Sequence, residues 1–117
     1  SIIDYFNCDI RSMINFLQSN IFSKKYILQN NIIEKLLEIN LTKNYAFFYN
    51  NIKFIENKYK ITIFQILEKY IYFILTNKIN KINKNLINDY EYIIHNLKNN
   101  EVYIKYIYNT TKEHFND

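Results

Sequence analysis

The sequence predicts an all-α protein, and three observations carry that expectation. The 117-residue chain contains no glycine and no proline. Its apolar residues recur three and four apart over long stretches, the spacing that lines up one face of a helix. The intervals between those stretches are rich in Asn and Lys, and Asn tolerates the left-handed backbone that ends a helix. An all-β sandwich or barrel normally needs Gly and Pro in its turns, and a phosphate-cradling loop needs glycine. Helices joined by Asn-rich turns are what remains.

Taken in order, Ser1 to Phe6 reads as the end of a helix that begins upstream, so the chain is expected to be part of a longer protein. Asn7-Cys8 is a turn. Asp9 is a good helix N-cap, because its carboxylate can accept from the free N–H groups of the first turn. Ile10, Met13, Ile14 and Leu17 then form one apolar stripe, which predicts a helix from Asp9 to about Asn20. Arg11, the only arginine, lies at the start of that helix and off the stripe. Breaks follow at Ser23-Lys24-Lys25 and Gln29-Asn30-Asn31.

From Ile32 the chain repeats helix and short polar break. Ile32, Ile33, Leu36, Leu37 and Leu41 make one stripe, broken near Asn40-Leu41-Thr42. Tyr45, Phe48, Ile52 and Ile55 make the next, ending around Asn57-Lys58. Ile61 to about Leu75 is apolar nearly all round and belongs at the centre of a bundle. Thr76 to Asn85 reads as either loop or frayed helix. Leu86, Tyr90, Ile93, Ile94 and Leu97 form the fourth stripe, stopped at Asn99-Asn100. Val102, Ile104, Tyr106, Ile107 and Tyr108 start the last helix, which runs towards Phe115.

Composition limits function. The chain is 49% hydrophobic, with 12 Tyr and 9 Phe, which argues against disorder. A chain of this length buries roughly 60–70% of its unfolded surface, enough for a real core. The excess of Ile, Asn, Lys, Tyr and Phe is what A+T-rich codons produce, so it reads as genomic bias before function. Net charge is +4 with lysines scattered along the chain, which permits nucleic-acid contact without indicating it. One cysteine excludes an internal disulfide framework and fits a reducing compartment. Ser1-Ile2-Ile3-Asp4 lacks the basic start of a signal peptide, and Tyr70 to Leu75 is too short to span a bilayer, so no membrane partner is expected.

Two stretches carry a family resemblance. Asp9, Arg11, Asn15, Leu17, Gln18 and Ser19 resemble the sensor-2 helix in the lid of AAA+ clamp-loader ATPases. More narrowly, they resemble the small subunits of eukaryotic replication factor C, whose motif reads Gly-Asp-Met-Arg followed by Asn-x-Leu-Gln-Ser. Cys8 stands where that family has glycine. Ile33 to Leu75 is similar to the family's C-terminal collar, through Ile33-Glu34-Lys35-Leu36-Leu37, Tyr45-Ala46-Phe47-Phe48 and Ile63-Phe64-Gln65-Ile66-Leu67. Asp89-Tyr90-Glu91-Tyr92, then Asn100-Glu101 and Lys112 to Asp117, extend the likeness. The Asp-x-Glu-Tyr element most resembles the subunit numbered five in vertebrates and three in yeast. The interval 20–31 is shorter than the family's.

The resemblance implies the C-terminal part of an AAA+ lid over 1–31, with the sensor-2 helix at 9–20, and a five-helix collar over 32–117. It implies a collar that joins other clamp-loader subunits in a hetero-oligomeric ring in the nucleus, which places the sliding clamp on primer–template DNA. ATP with Mg, the clamp and the DNA would be held by an ATPase domain outside this sequence. No phosphate loop is present here, so this chain is expected to hold no cofactor and not to be an enzyme alone. Arg11 would be the one nucleotide-binding residue, since the family's lid arginine reaches the γ-phosphate of ATP. A guanidinium suits that role, being planar, bidentate and always charged. Spacing alone makes Arg11 a solvated surface charge.

Other candidates are weaker. Cys8 has no basic neighbour in sequence and reads as an inert thiol. Glu91 and His95 stand one helical turn apart but lack a third ligand, so they read as a surface pair. His114 is expected to be solvated. Tyrosines at core spacing read as core rather than as base-stacking platforms. Two rival functions stay open: a free-standing helical protein-interaction module, and a basic helical nucleic-acid binder. A phosphate loop upstream of Ser1 would separate them from the clamp-loader expectation.

Overall fold

The computed structural model describes residues 10–19, 28–96 and 100–116, and among these it is helical throughout, with no strand. Helix α1 covers 10–19, followed by α2 (Asn30–Thr42), α3 (Tyr45–Tyr59), α4 (Ile63–Asn77), a 3₁₀ turn (Ile79–Lys81), α5 (Lys84–Asn96) and α6 (Asn100–Phe115). The all-α expectation is met, as are five helices after residue 29. Asp9, Cys8 and Leu97 lie outside the described residues.

Helices α3, α4 and α5 begin where a polar side chain takes up free N–H groups. Asn44 Oδ1 accepts from Phe47 N at 3.0 Å, and Asn83 Oδ1 from Leu86 N at 2.9 Å. Before α4, Thr62 and Gln65 form a reciprocal capping box, at 3.1 and 2.8 Å. The polar breaks read from the sequence are therefore helix starts as much as stops. Helix α3 ends at Lys60, whose φ of 57° is left-handed. Such a site favours glycine, and a lysine there carries roughly 1 kcal/mol of steric cost.

Helix α4 buries Ile63, Ile66, Leu67, Tyr70, Ile71, Phe73, Ile74 and Leu75 and lies against α2, α3 and α6. That is the central position its composition predicts. Helix α2 lies against α3, α4 and α6, while α6 touches each of α2 to α5 and is the chief neighbour of α5. Ile10, Met13 and Leu17 of α1 belong to the same buried cluster as the later helices. Burial of a large apolar side chain contributes about 1.5–3 kcal/mol, so this shared core dominates stability.

The structure sharpens four readings. Helix α2 ends at Thr42, within the break expected near Asn40-Leu41-Thr42, and Asn40 is fully buried in its last turn. In α6 the buried set is Tyr103, Ile104, Ile107, Tyr108 and Thr111, while Val102 and Tyr106 are 39% and 53% exposed. A helix buries three- and four-residue steps, and positions 103, 104, 107, 108 and 111 keep them. The Thr76–Asn85 connection holds a 3₁₀ turn with Ile82 buried beneath it and Ile79 exposed. His114 stays partly exposed, and its Nε2 bonds the carbonyl of Lys81 at the end of that turn.

Candidate functional site

Arg11 is exposed on the first turn of α1, next to Ile10, Met13 and Leu17, which face the core. It has no ion-pair partner among the described residues. Beside it is a shallow apolar recess lined by Ile10, Arg11, Ile14 and Ile79. Arg11 is the one charged group on that rim. It can reach an anion brought from outside, and among the described residues lining the recess no second cation joins it.

Helix α1 is tied to α5 by a ring contact. Phe16 and His95 lie 4.9 Å apart between centroids, tilted by 56°. His95 thus faces an aromatic of α1, while Glu91 one turn earlier is exposed. Among the described residues no three His, Cys, Asp or Glu side chains cluster closely enough to hold a metal.

The interior carries a polar network that the sequence did not reveal. Tyr70 Oη donates to Asn40 Oδ1 at 2.8 Å, and Asn40 Nδ2 donates to the Tyr108 carbonyl at 3.1 Å. Tyr108 Oη donates to the Lys43 carbonyl at 2.6 Å, and Lys112 Nζ donates to Tyr108 Oη at 2.9 Å and to the same carbonyl at 3.3 Å. Asn116 Nδ2 donates to the Leu41 carbonyl at 3.2 Å. The end of α6 therefore covers carbonyls that α2 leaves free at its C-terminus. A separate bond of 2.7 Å joins Tyr90 Oη to Thr111 Oγ1 between α5 and α6.

The buried hydroxyls of Tyr70, Tyr90 and Tyr103 are held protonated. Burial pushes Tyr70 well above the usual tyrosine range, and the nearby Tyr90 adds to it. Burial likewise raises Tyr90, opposed by its bond to Thr111, and raises Tyr103, helped by the Glu68 charge. Phenols driven this way are poor nucleophiles and poor bases; the network is a scaffold. Tyr45 is raised by burial and then by Glu101 and Tyr49, and its hydroxyl finds no hydrogen-bond partner among the described residues.

The surface of α3 was also missed. Phe47 and Phe54 are 52% and 59% exposed, off the buried stripe of Phe48, Ile52 and Ile55. Their seven-residue spacing, off the buried stripe, was the available signal. Lys43 Nζ lies 5.7 Å from the Phe47 ring centre, and Lys58 Nζ 5.7 Å from that of Phe54.

Fold and surface together define a helical bundle with one exposed arginine on its first described helix and an aromatic face on its third. No protein-family model, curated protein or solved structure matches the chain. No helix among the described residues is long and apolar enough to cross a membrane.

Proposed function

We propose that this chain is the collar region, with part of the lid, of a clamp-loader subunit similar to the small subunits of replication factor C. Its role is to hold that subunit in a hetero-oligomeric ring while Arg11 reports ATP to the clamp-opening machinery. The observation that carries this reading is the pattern Asp9, Arg11, Asn15, Leu17, Gln18, Ser19. Its support from geometry is that Arg11 is exposed on the first turn while Ile10, Met13 and Leu17 anchor the helix. The partners are neighbouring subunits through the collar, and ATP with Mg, the sliding clamp and primer–template DNA through an ATPase domain of the full-length protein.

The test is reconstitution of the full-length protein with clamp-loader subunits, comparing wild type, Arg11→Ala and Arg11→Lys. Assembly should be intact in all three, since Arg11 lies outside the buried cluster. Hydrogen bonds to charged groups contribute roughly 1.5–3 kcal/mol, so ATP affinity or clamp loading should fall about ten- to a hundredfold in Arg11→Ala. Lysine should rescue only partly, because a point charge does not reproduce the planar fork. Normal loading by Arg11→Ala would make the residue a surface charge and remove the main support for the reading.

A further inference from the structure

We propose that the outer face of α3 is a docking surface for an acidic amphipathic helix of a partner protein. The proposal does not rest on the clamp-loader reading. It begins with two large aromatic rings that face solvent although other positions on the same helix are fully buried: Phe47 at 52% and Phe54 at 59%, against Phe48 and Ile52 at 0%. Seven residues of helix bring two side chains to the same face, about 10 Å apart along the axis. The face therefore offers two apolar anchor points one heptad apart, with exposed Asn50 between them.

Charge selects the occupant. The stripe runs Lys43, Phe47, Asn50, Phe54, Lys58, with a cation at each end, each 5.7 Å from the centre of its neighbouring ring. The acidic residue of α3 is Glu56, half-buried off this face and paired with Lys53 at 2.9 Å. The stripe is thus apolar at its centre and positive at both ends, with the Glu101 carboxylate of α6 beside Asn50 between them. Its complement is a helix with two apolar side chains one heptad apart and carboxylates outside them, the helix-in-groove mode of recognition.

Two other occupants fit less well. A second copy laid antiparallel on the same stripe would set Lys43 against Lys58 at both ends, and opposed like charges disfavour that pairing. A single-stranded nucleic acid would stack bases on exposed rings but also needs cations along its phosphates, and here Phe47, Asn50 and Phe54 separate Lys43 from Lys58.

The experiment uses the 117-residue chain and two labelled designed helices of about four turns. One carries Leu at two positions seven apart with Glu flanking them; the other has Lys in place of every Glu. Fluorescence anisotropy should show binding of the acidic helix, weakened by added salt, with the basic helix about tenfold weaker or worse. Phe47→Ser with Phe54→Ser should weaken binding of the acidic helix at least about tenfold, as loss of interface anchors does. Circular dichroism and thermal melting should be unchanged in that variant, because both rings are already in solvent. Lys43→Glu with Lys58→Glu should invert the preference towards the basic helix. Equal binding of both helices, or undiminished binding by the double Phe variant, would overturn the proposal. So would self-association on sedimentation that the Phe variant abolishes, or displacement of the acidic helix by a single-stranded oligonucleotide.

Discussion

Tyr70→Phe is the sharpest probe of the buried network, because it removes one oxygen and leaves the shape of the core unchanged. Tyr70 and Asn40 are both fully buried, and the hydroxyl donates to Asn40 Oδ1 at 2.8 Å. Without it, that amide oxygen is left in an apolar interior with no water to replace the donor. An orphaned buried acceptor costs about 1–3 kcal/mol, against roughly 1 kcal/mol for a hydrogen bond lost where solvent can substitute. For a chain of this size that is a fall in Tm of about 4–12 °C. Urea unfolding followed by far-UV circular dichroism should show a lower midpoint with an unchanged slope, since the exposed area is the same. Asn40→Ala should cost at least as much, because it orphans the Tyr70 hydroxyl and leaves a cavity. The Tyr108 carbonyl suffers less, as a mid-helix carbonyl keeps its intrahelical donor. The two substitutions should be non-additive by about 1 kcal/mol in a double-mutant cycle. If Tyr70→Phe unfolds within about 0.5 kcal/mol of wild type, the hydroxyl does not satisfy Asn40 and the reasoning fails.

Two further outcomes are expected. Lys60→Gly should stabilise the protein by roughly 1 kcal/mol, because Lys60 holds a left-handed φ of 57° that glycine adopts freely; a lower unfolding midpoint would contradict this. High pH should unfold the protein: burial raises Tyr70, Tyr90 and Tyr103 in the folded state, so above pH ~10 the unfolded chain releases protons that the folded chain retains. Stability then falls with rising pH by up to about 1.4 kcal/mol per unit for each such group and is unaffected by them below that range. Tyrosinate absorbance and loss of helix should rise together, and ionisation of all tyrosines with the helices intact would refute the burial argument.

The helices were legible because the stripes in α2 to α5 keep a helical period and because every turn had to be polar without Gly or Pro. The buried polar partners were not legible, because residue type speaks only for its usual habit. Asn40 was read as part of a break because asparagine favours turns, and nothing in sequence order announces Tyr70 and Tyr108 as its partners, 30 and 68 residues away. His114 was read as solvated, although the carbonyl of Lys81 waits 33 residues upstream. Arg11 was placed on the exposed side of α1 correctly, since exposure follows from helical phase. Its role does not follow from phase, because the anion it would meet is not part of this chain.

The same network explains why the α3 face is fixed in place. Lys43 lies between α2 and α3, and its carbonyl accepts from Tyr108 and Lys112 of α6, while Asn116 holds Leu41 two residues earlier. Asn44 then caps α3 at once, leaving the connection almost no freedom. On the inner side, Phe48 lies 5.3 Å from Tyr108 and 5.9 Å from Tyr70 between ring centres, so the first turn of α3 is held by the rings whose hydroxyls serve the network. The rotation of α3 about its own axis is thereby set, and with it the direction in which Phe47 and Phe54 project. A bundle that needed only to bury its core would gain nothing from two exposed phenylalanines on a helix held this firmly. A surface that binds gains directly, because anchors that are already ordered lose little entropy when a partner arrives.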